Sequence, residues 1–214
     1  MRALRWNKQN NNLKSKHTMP HTHKNNLRYF LCGLIIILIA VFIDQYTKWF
    51  VFEQLLRISG DAPDFATWLT TKKDLMAFFA EKANFTNHKI NGFLDFVMVW
   101  NQGISFGLFS NGSETGMLIF IGISCCISLG LLIWMAKCDH PLNSVAIALI
   151  IGGAIGNVID RIRFGAVADF IDLHYNDTHW PAFNVADICV CFGAFLVVLY
   201  TLFFEKDENA PVDV

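Results

Sequence analysis

Four stretches of this chain are each long and apolar enough to cross a bilayer: about 29–52, 116–136, 142–160 and 186–204. A spanning helix needs ~20 mostly apolar residues, because away from water every backbone N–H and C=O must be satisfied within the helix. The composition agrees, with 54% of residues hydrophobic and 16% charged, against about 25% charged in soluble domains. The expected fold class is membrane all-α: a four-transmembrane-helix bundle with the longer connections folded outside the bilayer.

Charge then orients the bundle. Residues 1–28 carry Arg2, Arg5, Lys8, Lys14, Lys16, Lys24 and Arg28 and no acidic residue. Basic flanks stay in the cytoplasm, so 1–28 is expected to be a cytoplasmic tail. Four crossings across 29–204 return the short tail 205–214 to the same side. The loop KCDHP (137–141) is then cytoplasmic, and the segments 53–115 and 161–185 face outward. The apolar run from Tyr29 to Ile43 leads into DQYTKWF and not into a small-residue cleavage site, so the first span reads as a retained anchor.

Several function classes fall away. The net charge of −1 gives no basic field for nucleic acid. The six cysteines lie in or beside apolar runs without a CxxC pair and read as small packing residues. His17, His21 and His23 sit in a polar tail and are not read as metal ligands. No HExxH motif points to a zinc peptidase.

The outer segment 53–115 divides in two. Residues 61–84 mix Phe65, Trp68, Leu69, Leu75, Met76, Phe78 and Phe79 with Lys72, Lys73, Asp74, Glu81 and Lys82, which predicts an amphipathic helix on the membrane surface. Residues 93–109, FLDFVMVWNQGISFGLF, are rich in β-formers around the turn-like Asn101-Gln102-Gly103, and predict a short hairpin or ribbon. Such a platform could hold an extended peptide by main-chain hydrogen bonding.

The chemistry concentrates in 152–193. Ionisable side chains are expensive at a membrane and are functional candidates by default. Gly152 and Gly156 form a small-xxx-small pattern for close helix packing. Asn157, Asp160 and Arg161 share one face at the outer end of the third span, as support or as site. Asp44 and Lys48, spaced i, i+4 in the first span, read as an ion pair tethering that helix at the outer interface. Asp169 lies in the extended stretch AVADFIDL, where Asp172 points to the opposite face. Asp187 stands three residues after Asn184, the spacing of a capping box at the start of the fourth span. The return from the third span to the fourth lets Asp169 and Asp187 approach. Two carboxylates sharing one proton supply an acid and a base for water attack, with no metal or cofactor required.

The blocks DQYTK (44–48), NQGISFGLF (101–109), GGAIGNVIDR with GAVADFID (152–172) and PAFNVAD (181–187) resemble, in order, those of lipoprotein signal peptidase, or signal peptidase II. The resemblance implies an intramembrane aspartic endopeptidase of the bacterial inner membrane. It would cut diacylglyceryl-modified prolipoproteins just before the lipidated cysteine, and it implies a small external β-cradle. Catalysis would fall on Asp169 and Asp187. Asp44, Lys48, Asn101, Gly103, Asn157, Asp160, Arg161 and Asn184 would line or support the site. The expected partners are the prolipoprotein and membrane lipid, with the protein acting as a monomer. Three features depart from the family pattern: a longer segment between DQYTK and NQGISFG, a long polar N-terminal tail, and Ser105 where alanine is common. Two rivals remain: an ion- or solute-conducting bundle using the acids as a relay, and a scaffold whose polar helix ends bind partners.

Overall fold

The structure, a computed structural model, describes residues 21–72, 84–103 and 114–204. Among the described residues, four helices are long and apolar enough to cross a membrane, as expected. The first, α1 (His21–Trp49), continues through a π-helical turn, Phe50–Leu56. It starts eight residues before the predicted span, so His21 and His23 belong to its first turn; His17 lies outside the described residues. A short helix, α2 (Phe65–Thr70), follows outside the bundle. The remaining spans are α3 (Glu114–Met135), α4 (Pro141–Phe164) and α5 (Val185–Phe203).

Helix α4 is the hub, packing against α1, α3 and α5. Its limits are set locally. Pro141 occupies the first turn, where its missing N–H costs nothing, and His140 Nδ1 accepts from the Leu142 N–H at 3.2 Å. Gly165, at φ 78°, ends the helix in the left-handed conformation that glycine adopts without strain. The small residues act at the contacts. A Cβ at Gly152 would lie 2.7 Å from the Ala40 Cβ of α1. A Cβ at Gly153 would strike the Ala186 carbonyl oxygen, and one at Gly156 would lie 2.5 Å from Asp44 Oδ2. These glycines let α1 and the start of α5 approach α4 closely enough for polar groups on all three helices to meet.

Outside the bundle lies one antiparallel four-stranded sheet of order β1-β2-β3-β4: β1 (His88–Lys89), β2 (Leu94–Asn101), β3 (Val167–Tyr175) and β4 (Thr178–His179). Of the run 93–109, expected as a short hairpin or ribbon, the described part forms one strand, β2, whose main partner is β3; 104–109 lie outside the described residues. A strand's composition states that it will pair but not with what, and the partner lies about seventy residues on. The chain reverses before β2, at Asn91-Gly92, where Asn91 Oδ1 accepts from the Phe93 and Leu94 N–H groups. The predicted surface helix over 61–84 is realised as α2 alone among the described residues; 73–83 and 104–113, which include Ser105 and Ser110, lie outside them. One face of the sheet contributes Ala168 and Phe170 to a core with Val51, Phe52 and Leu56 of the π-helical turn.

Gly153→Ala is expected to cost about 1–3 kcal/mol, because the new methyl meets the Ala186 backbone as well as the Val190 side chain. Thermal unfolding in detergent micelles should show the loss, while Gly122→Ala, with open space at its Cβ, should show none.

Candidate active site

Three ionisable side chains meet in the middle of the bundle. Lys48 Nζ lies 2.7 Å from Asp44 Oδ2 and 2.6 Å from Asp160 Oδ2, and all three side chains are 0% exposed. Asp44 and Lys48 are therefore not an interface tether; the third span closes over them. Gln45 Nε2 donates to Asp160 Oδ1 at 2.9 Å, to Asp44 Oδ2 at 3.1 Å and to the Gly156 carbonyl at 3.3 Å. Each carboxylate also accepts from a backbone N–H outside the cluster. Asp160 Oδ2 takes the Ala168 N–H at 3.1 Å, and Asp44 Oδ1 takes the Ala186 N–H at 2.9 Å. Ala168 precedes Asp169 and Ala186 precedes Asp187. The cluster thus grips the chain one residue before each candidate catalytic aspartate.

Asp169 and Asp187 are themselves joined by two amides. Asn184 Nδ2 donates to Asp169 Oδ1 at 2.7 Å and to Asn157 Oδ1 at 3.1 Å. Asn157 Nδ2 donates to Asp187 Oδ1 at 2.8 Å. Asn184 is also the N-cap of α5: its side chain accepts from the Asp187 N–H at 3.0 Å, and Asp187 Oδ2 accepts from the Asn184 N–H at 3.2 Å. The predicted capping box is present, and the same residues serve the site. Main-chain pairing of Ile171 with Phe183 sets this register, since it brings Asn184 beside β3.

Asp169 is 1% exposed, on a strand outside the spans. Burial raises its carboxyl to about 7, and the nearby Asp187 adds to the rise; hydrogen bonds donated by Asn101 and Asn184 oppose it. Asn101 Nδ2 reaches Asp169 Oδ2 at 3.0 Å from the end of β2. Gly103, at φ 86°, turns its N–H back onto Asn101 Oδ1 at 2.9 Å and so fixes which end of that amide faces the acid. The register of β2 shifts between Phe96 and Val99, the residue opposite Asp169, and such irregularities re-aim side chains beside active sites. Asp187 opens onto an apolar groove of about 460 Å³ that runs down α5, lined by Trp180, Phe183, Ile188, Cys191 and Phe192.

The remaining expectations divide. Asp172 turns to the other face of the sheet, where its carboxylate takes His179 Nδ1 at 2.8 Å. Asn157 and Asp160 separate: the first joins the aspartate pair, the second the lysine cluster. Arg161, read as support or as site, holds a carbonyl. Its Nη1 donates to the Asn157 carbonyl at 3.3 Å, its guanidinium lies 5.4 Å from the Phe120 ring centroid, and among the described residues it makes no ion pair with a carboxylate. Sequence reasoning missed Gln45 and Arg163. Gln45 sits inside DQYTK, and an amide beside an acid in an apolar span was the available signal. Arg163 lies i+3 from Asp160, and nothing in its spacing singled it out.

The chain is similar to known proteins. The family model described as signal peptidase (SPase) II matches residues 36–203. The chain belongs to the signal peptidase II family. Lipoprotein signal peptidase of Pelagibacter ubique is 36% identical over 190 residues, 87% of this chain and 97% of that protein. The Anaplasma phagocytophilum protein of the same name is 33% identical over 86% of this chain and 100% of its own length. A bacterial membrane enzyme solved by the in meso method at 2.3 Å superposes with a TM-score of 0.57 at 25% identity, covering 84% of this chain and 94% of that one. This signal peptidase II family member is a multi-pass membrane peptidase with an external sheet.

In the peptidase, Lys48→Met leaves Asp44 and Asp160 facing each other in a dry interior. Removing one partner of a buried ion group typically costs about 3–5 kcal/mol. The variant should unfold at markedly lower temperature in micelles than the parent, and a midpoint within measurement error of the parent would contradict the cluster's role.

Proposed function

We propose that the protein is an aspartic endopeptidase of the bacterial inner membrane. It removes signal peptides from diacylglyceryl-modified prolipoproteins, cutting just before the lipidated cysteine. The observation that carries this reading is the amide bridge joining Asp169 to Asp187 through Asn184 and Asn157. Two carboxyls held by common partners behave as one acid–base unit with a shared proton.

The ionised member takes a proton from water as the oxygen attacks the scissile carbonyl. The protonated member polarises that carbonyl and later protonates the leaving amine. Asn101, locked by Gly103, keeps Asp169 oriented. The substrate's lipid and signal helix remain in the bilayer, so the peptide bond arrives at the site with much of its motion already lost. The basic N-terminal tail supports a cytoplasmic N-terminus, which puts the sheet and the dyad at the outer face. The protein acts as a monomer, with lipid and prolipoprotein as its partners.

Asp169→Asn and Asp187→Asn are each expected to abolish cleavage of a purified lipidated prolipoprotein while thermal stability stays near the parent's. Full activity in either folded variant would overturn the dyad. Proton flux into liposomes without cleavage would instead favour a relay.

The pH dependence has a defined sign. Because Asp169 is raised to about 7, the shared proton leaves as pH climbs through that region, and the cleavage rate should fall on the alkaline side. Asn101 donates to the charged form and so lowers this value. Asn101→Ala should therefore move the alkaline limb of the pH–rate profile upward; a downward shift would contradict the assignment.

A further inference from the structure

Arg163 lies near the outer end of α4, largely buried, and touches neither aspartate of the dyad. Its Nη1 donates to Gln45 Oε1 at 3.0 Å, and its Nη2 donates to the Trp68 carbonyl oxygen. Its guanidinium carbon stands 4.1 Å from the Trp68 ring centroid and 4.3 Å from that of Phe164. Trp68 belongs to α2, the short helix in the outer segment between the first span and the sheet, and is itself 3% exposed. The same helix also rests on α1. Phe65 meets Phe42, Tyr46 and Trp49 at ring distances of 5.8, 5.4 and 5.6 Å, and Trp49 Nε1 donates to the Pro63 carbonyl at 2.8 Å.

The link inward runs through one amide. Gln45 presents its oxygen to Arg163 and its nitrogen to Asp44 and Asp160. Its carbonyl accepts and its NH₂ donates, so this orientation is the one that suits a cation on one side and two carboxylates on the other. Among the described residues, Arg163 is the group that holds this oxygen outward; without it a flipped amide would set oxygen against the carboxylates. Those carboxylates hold the Ala168 and Ala186 N–H groups beside the dyad.

We propose that Arg163 is a positioning residue that makes the placement of Asp169 and Asp187 depend on α2 being docked against α1 and α4. This rests on the dyad reading above. A continuous set of contacts leads from the Trp68 carbonyl through Arg163, Gln45 and the lysine cluster to the backbone before each aspartate. Arginine suits the position because its planar fork bonds in two directions while its faces stack on rings; lysine can do only part of this.

The test is steady-state cleavage of a diacylglyceryl lipopeptide by the full-length protein in micelles, with thermal midpoints measured alongside. Misplacement of reacting groups lowers turnover and leaves binding intact, so Arg163→Met is expected to lower kcat about tenfold with KM within about twofold. Arg163→Lys should recover part of the loss. Phe65→Ala loosens α2 from α1 without touching Arg163; it should lower kcat several-fold alone and much less on top of Arg163→Met, since coupled residues are not additive. Parental kcat in Arg163→Met, a change confined to KM, or additive losses would each overturn the proposal. If Arg163→Met does not fold, Arg163→Lys and Phe65→Ala decide, and parental kcat in both refutes the coupling. Activity in Asp169→Asn or Asp187→Asn would bring down the dyad itself; inactivity there with parental kcat in the arginine variants would bring down the coupling alone.

Discussion

The structure depends on one buried ammonium. Lys48 lies between Asp44 and Asp160 without solvent contact, in a bundle whose other internal contacts are mostly aliphatic. Burying such a group in apolar surroundings gains little stability over an apolar core. What it supplies is direction. Each carboxylate has hydrogen-bonding capacity left after meeting the lysine, and each uses it on a backbone N–H of an element that carries a dyad aspartate. Apolar packing alone would tolerate small slips of β3 or α5; a charged hydrogen bond at 2.9–3.1 Å does not.

The proposed dyad inherits that order. Asn184 caps α5, holds Asp169 and contacts Asn157, so the start of the helix and the geometry of the site are one structure. Asp187 belongs both to the capping box and to the acid pair. The capping reading and the catalytic reading of these residues were therefore not competitors. A polar helix terminus needs acceptors and donors fixed in space, and so does a reaction that moves protons.

Much of this was legible beforehand, for identifiable reasons. The four spans follow from length and apolarity, and the capping box from the Asn184–Asp187 spacing. Asp169 and Asp172 were separable because a strand alternates its faces. The misreadings share a cause. Asp44 and Lys48 looked like a surface pair because i, i+4 spacing describes one helix and is silent about what covers it. The partner of β2 could not be read from 93–109, because β-propensity is local and strand pairing is not. Arg163 went unread because neither the arrival of Trp68 nor the orientation of Gln45 leaves a mark on sequence periodicity.

Sequence by itself determined that the chain is a four-span bundle, which segments leave the membrane, and which few acids and amides had to be accounted for. These follow from the cost of unsatisfied backbone and charge in hydrocarbon, which acts residue by residue. Tertiary structure decided the partners: that Lys48 takes two aspartates from different helices, that Asn157 and Asp160 part company though three residues apart, and that an outer helix touches the charged core. Those outcomes depend on how close the glycines of α4 allow three helices to come. Close approach is a property of packed surfaces, and no single segment contains it.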